Sequence, residues 1–99
     1  MDVTRTEIIA NRALEEDIIE RLREHGVPPL YTKVPAVHGA GSSGERHGDH
    51  VWPEENVLFL FYTDGAVART IVDVVRSIKR QYPDTGVKLY QYQVDAIVL

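Results

Sequence analysis

Residues 56–63 read NVLFLFYT, and this run constrains the fold more than any other part of the chain. It is aromatic, β-branched and apolar, which is the composition of a strand. Alternation places Phe59 and Phe61 on one side of that strand and Leu58, Leu60 and Tyr62 on the other. A strand apolar on both sides has to be covered on both, so the segment is expected in the interior of a sheet with two covered faces.

The flanking segments say what supplies the first cover. Residues 4–10, TRTEIIA, are compatible with a strand and end at Asn11, a good helix N-cap. Leu14, Ile18, Ile19 and Leu22 then recur at helical spacing, Glu15, Glu16 and Asp17 complement the positive end of the dipole, and Gly26 supplies a stop, which predicts a helix over 12–25. After Pro28 and Pro29 the run YTKVPAVHG reads as a second strand. Pro35 has no N–H to give to a ladder, so that strand belongs at a sheet edge or carries a bulge. Beyond NVLFLFYT, Thr63 or Asp64 caps a second helix whose stripe is Val67, Ile71, Val74, Val75 and Ile78, with Lys79 and Arg80 near its negative end. Pro83 stops it, PDTG at 83–86 makes a turn, and VKLYQYQVDAIVL at 87–99 alternates as a last strand.

The order strand, helix, strand, strand, helix, strand is that of an α+β, ferredoxin-like βαββαβ domain. Both helices lie on one face of a four-stranded antiparallel sheet of order 4-1-3-2. The second cover of NVLFLFYT then comes from another copy of the chain, unless the long loop between the second and third strands covers that face or its exposure is tolerated. A large exposed apolar face usually marks an interface, so sheet-to-sheet packing in a homo-oligomer is expected.

Ninety-nine residues, 43% of them hydrophobic, make one domain spanning residues 1–99. Cysteine is absent, which excludes a disulfide framework or a thiolate metal site and fits a cytoplasmic location. No segment approaches the roughly 18 consecutive apolar residues of a membrane helix. A net charge of -4 gives no general attraction to nucleic acid, whose non-specific binding depends on Lys and Arg neutralising phosphates. Arg69, Arg76 and Arg80 fall on the outer stripe of the second helix. The carboxylates Glu15, Glu16, Asp17, Glu20 and Glu24 interleave with Arg21 and Arg23, and read as a solvated face with local ion pairs.

Between the second and third strands stands HGAGSSGERHGDHVW, residues 38–52, which holds three of the chain's 4 histidines. Gly39, Gly41 and Gly44 formally fit G-x-G-x-x-G, but the segment leads to a strand rather than a helix, and a dinucleotide fingerprint needs the helix N-terminus. A looser phosphate cradle of backbone amides needs no helix and stays open. His38, His47 and His50 form a second alternative, as ligands for zinc or copper. A solvated polar loop is the third. Ser42 and Ser43 lie near histidines in sequence only, and no catalytic residues are assigned; the chain is expected not to be an enzyme.

On these residues the chain resembles the PII-like superfamily, small trimeric signalling proteins related to nitrogen regulatory PII and, more distantly, to the CutA ion-tolerance proteins. The resemblance covers nearly the whole chain in element order. VHGAGSSG is similar to the family's glycine-rich approach to its mobile T-loop, which places a T-loop-like segment at about 38–55. Gly39 and Gly41 match the glycines at the loop base, and Lys88 in TGVKLY matches the lysine of the family's G-D-G-K-I-F segment, with Thr85 and Val87 standing where the family has glycine. The resemblance implies a non-enzymatic regulatory homotrimer that senses a small ligand in clefts between subunits, through Gly39, Gly41, Gly44, Arg46 and Lys88. It also implies an adenine nucleotide as ligand class and an unidentified protein partner engaged through the loop. The CutA-like alternative is a divalent metal, zinc or copper, on His38, His47 and His50. Tyrosine is absent between His38 and Asn56, so the covalent modification known in some members has no acceptor there.

Overall fold

The computed structural model describes residues 2–38 and 55–99. The elements follow the expected order: β1 (Asp2–Asn11), a 3-10 turn (Arg12–Leu14), α1 (Glu15–Glu24), β2 (Tyr31–His38), β3 (Glu55–Thr63), α2 (Gly65–Gln81) and β4 (Val87–Asp95). The four strands form one sheet in the order β2-β3-β1-β4, antiparallel throughout, as expected.

Local chemistry sets the boundaries. The Asn11 side chain accepts from the Ala13 N–H at 2.9 Å, so the cap foreseen at Asn11 forms, but it opens onto a 3-10 turn and the α-helix proper begins only at Glu15. Gly26 closes α1 with φ 78, its N–H on the Arg23 carbonyl and that of Val27 on Leu22; this left-handed position is where glycine is needed. Asp64, in extended conformation, caps α2 by accepting from Val67 N–H at 2.8 Å. The buried stripe of α2 is Ala68, Ile71, Val74, Val75 and Ile78; Val67, expected within it, packs at its margin.

The helices cover one face. Ile8 and Ala10 of β1 and Val57, Phe59 and Phe61 of β3 meet Leu14, Ile18 and Leu22 and the α2 stripe in one core. Tyr31 closes it at the β2 side, edge-on to Phe59 at 5.5 Å between centroids. Towards the start of α2 the same face turns polar. Buried Thr6 accepts from the Gln91 amide, which also donates to the Ala68 carbonyl, and Gln93 donates to Thr4. These bonds satisfy hydroxyls that would otherwise be costly to bury.

Among the described residues the opposite face carries no helix. There Leu58 and Leu60 are half-buried and Tyr62 is 51% exposed, so the described residues of one chain cover β3 on one side only, not on both as its sequence requires. β4 stops at Asp95, short of the expected end at Leu99, because Asp95 forms the last pair with Asp2 and residues 96–99 lie beyond it. β1 is longer than its sequence signal because β3 and β4 offer it partners along its length, from Asp2 to Asn11. The ion pairs expected within α1 are replaced by partners elsewhere: Glu15 meets Lys33 of β2 at 3.3 Å, and Arg21 donates to Gln81 of α2.

Pro35 has both consequences its chemistry allows. β2 is an edge strand, and its register with β3 slips by one residue between Val34 and Val37. The extra residue, Ala36, takes φ 55, which costs a non-glycine residue about 1 kcal/mol. Ala36→Gly is therefore expected to stabilise the fold by about 0.5 kcal/mol after the added entropy of the unfolded chain, a Tm rise of roughly 2–4 °C by calorimetry. A fall in Tm would show that the bulge depends on the alanine methyl.

Candidate functional site

The segment singled out in the sequence leaves the sheet at His38 and returns at Glu55, which are register partners at the end of β2 and β3. Gly39, Gly41, Gly44, Arg46, His47 and His50, with Trp52, lie outside the described residues. The base of the segment is built as follows. Glu55 pairs with Arg12 at 2.6 Å, tying the start of β3 to the turn after β1. Both groups are well exposed, so the pair fixes direction more than it adds stability. Asn11 pairs in register with Asn56, and the Asn11 N–H donates to the Gly86 carbonyl at 2.8 Å, which joins the same end of the sheet to the turn before β4.

That turn has Pro83 at its second position and closes with the Thr85 N–H on the Tyr82 carbonyl at 3.1 Å. Lys79, at the C-terminal end of α2, donates to both the Pro83 and the Thr85 carbonyls at 3.0 Å. A rigid turn thus delivers β4, and two residues past Gly86 stands Lys88, exposed and paired in register with Ile9.

Lys88 and the segment base do not meet within one chain. Val34, Leu58, Ile9 and Lys88 share one row across the sheet, with β2 at one edge and β4 at the other. Three strand spacings, roughly 14 Å, separate Lys88 from β2, and His38 lies further along. One small ligand cannot touch both edges of the same sheet.

His38 is exposed at the end of β2, and no group of three or more His, Asp, Glu or Cys side chains is assembled among the described residues. A polar cleft of about 460 Å³ does exist, lined by Asp2, Thr4, Gly65, Gln93, Val94 and Asp95. It lies at the other end of the sheet from Glu55 and Gly86. The carboxylates of Asp2 and Asp95, facing each other in register, make it a poor place for a phosphate. No helix among the described residues is long and apolar enough to cross a membrane.

Sequence reasoning missed one cluster. On the helix-free face Arg5 lies between Tyr62 and Tyr92, with ring centroids 5.6 and 5.5 Å from its guanidinium carbon, and donates to the Tyr62 hydroxyl at 2.8 Å. Glu7 is 3.7 Å away. Partial burial, and behind it the Glu7 carboxylate, push the Tyr92 phenol above its ordinary value against the opposing pull of Arg5. The available signal was alternation: Arg5 and Glu7 occupy the opposite parity of β1 from Thr6 and Ile8.

A four-stranded antiparallel sheet of this order, with two helices on one face, defines a ferredoxin-like α+β domain. No protein-family model and no curated protein sequence matches the chain. Solved structures do. The chain is similar to CPII, a nitrogen regulatory PII-like protein from Thiomonas intermedia K12 whose structure was determined bound to ADP, AMP and bicarbonate. Identity is 20%, the TM-score is 0.67, and the match covers 95% of this chain and 89% of that one. It is also similar to the Bacillus subtilis GlnK–ATP complex at 16% identity and TM-score 0.70, over 94% of this chain and 82% of that one. A protein of Thermus thermophilus described as PII-like matches at 21% identity and TM-score 0.64, over 95% and 88% of the two chains. The chain therefore has the PII-like fold.

Proposed function

We propose that this protein is a non-enzymatic, PII-like regulatory homotrimer that binds an adenine nucleotide in a cleft between two copies. In this reading Lys88 of one copy contributes charge to the phosphates. The neighbouring copy brings the base of its 38–55 segment, with contacts at Gly39, Gly41, Gly44 and Arg46. The single observation that carries the reading is the likeness in fold, over 95% of the chain, to CPII bound to ADP, AMP and bicarbonate. The placement of Lys88 and His38 on opposite edge strands agrees with it, because only a second copy can bring a β4 edge beside a β2 edge. The GlnK–ATP complex shares the fold and supports the same ligand class.

Calorimetry and thermal shift with ADP, ATP, AMP and bicarbonate test this directly. A nucleotide that binds the native state is expected to stabilise it by about 2.7 kcal/mol at a hundredfold excess over Kd. Lys88→Ala is expected to leave the unliganded Tm within about 1 °C, because Lys88 is exposed, and to raise the nucleotide Kd roughly 10- to 100-fold through loss of a charge-assisted contact. Equal affinity in wild type and variant would remove Lys88 from the site, and silence with every nucleotide would remove the reading. Zinc alone, run as a parallel arm, addresses the histidines.

A further inference from the structure

Arg5 stands in the middle of β1, a central strand, on the face that no helix among the described residues covers. Two tyrosine rings hold its guanidinium, so a planar fork of donors is fixed in orientation before any partner arrives. Its hydrogen bonding is incomplete. Nε is the one buried side-chain donor or acceptor among the described residues without a partner. The nearest carboxylate, Glu7, lies at 3.7 Å, near enough to balance charge and too far for a hydrogen bond. A quarter of the Arg5 side chain is still exposed, so part of it is within reach of a carboxylate from outside.

The surroundings identify the donor of that carboxylate. Leu58, Leu60 and Ile9 are half-buried around Arg5 and Glu7, and Tyr90 is 51% exposed beside them. An acidic partner would meet Glu7 and a basic one would meet Arg5. A face with one charge of each sign at its centre is best matched by its own copy. The four strands, of 10, 8, 9 and 9 residues, present roughly 19 by 30 Å, about 570 Å² in projection. That approaches the roughly 800 Å² of accessible surface per partner in a stable interface.

We propose that Arg5 and Glu7 are the specificity pair of self-association through the helix-free face, the Arg5 fork of one copy donating to the Glu7 carboxylate of the next. The assignment rests on the homotrimer reading above and deepens it. Leu58, Leu60 and Ile9 supply apolar area, while the pair fixes which copies and which orientation are accepted.

Sedimentation across a concentration series tests the pair, with circular dichroism confirming the fold of each variant. Neutralisation is a poor test, because hydrophobic replacement of a desolvated ion pair is often neutral or stabilising. Charge reversal is the better one. Arg5→Glu is expected to raise the dissociation constant of the assembly at least about a hundredfold, Glu7→Arg to do the same, and the double reversal to return it to within about tenfold of wild type. Wild-type mass for a folded Arg5→Glu variant overturns the proposal, and wild-type mass for Glu7→Arg overturns it where Arg5→Glu fails to fold. A double variant that stays dissociated overturns the pairing. A wild type that is monomeric throughout removes the homotrimer reading itself, whereas an assembled wild type with an equally assembled Arg5→Glu variant removes only the role of Arg5.

Discussion

Phe59→Ala is expected to lower the free energy of unfolding by roughly 3–5 kcal/mol, the largest effect of any substitution argued from this structure. Phe59 is fully buried, lies opposite Ile8 in the ladder, and packs edge-on to Tyr31. Its removal leaves a cavity between the sheet and α1 and α2 that this well-packed core can only partly close. A domain of this size has about 5–15 kcal/mol in total, so the variant is expected to unfold more than about 10 °C below wild type. Urea melts at fixed protein concentration check this, since assembly otherwise shifts the midpoint. A midpoint displaced by less than about 1 kcal/mol at an unchanged slope would mean that Phe59 does not occupy the core.

The fold was legible where a residue's chemistry admits few alternatives. Asn11 and Asp64 mark helix starts because their side chains accept from backbone N–H groups that a helix leaves free. Pro35 announced an edge strand or a bulge because it removes a ladder donor, and β2 has both. The end of β4 was not legible: residues 96–99 alternate as well as those before them, and only the register with Asp2 shows where pairing ends. Arg5 was hidden for the same reason. Its neighbours Tyr62 and Tyr92 are 57 and 87 positions away and become adjacent only once both ladders of β1 are aligned. Alternation places Gln91 and Gln93 on one side of the last strand, but that they bond to the Thr6 and Thr4 hydroxyls follows only from the register with β1. At the candidate site, Lys88 came from the resemblance of TGVKLY to a family motif, but its separation from His38 by the width of the sheet is a property of strand order alone.

The residue next to Phe59 tests the other side of the same strand, with the opposite expected result. Leu60→Lys is expected to leave the chain folded, with a stability change within about 1 kcal/mol, and to raise the dissociation constant of the assembly by about a thousandfold or more. Within the chain Leu60 is only half-buried and lies opposite Glu7, so a lysine there keeps its ammonium in water and gains an opposite charge across the ladder. Between two helix-free faces the same ammonium would lose its water without a dedicated partner, and would compete with Arg5 for Glu7. That loss of several kcal/mol corresponds to the expected thousandfold change. Native mass spectrometry reads the mass and small-angle scattering the shape; a Leu60→Lys protein with wild-type mass would place the interface elsewhere. The variant also probes the ligand site, because Leu60 is not among the proposed contacts. If the nucleotide sits between copies, dissociated Leu60→Lys chains are expected to lose it although Lys88 is intact. Retention of nucleotide by a dissociated chain would place the site within one chain, where the width of the sheet separates Lys88 from His38.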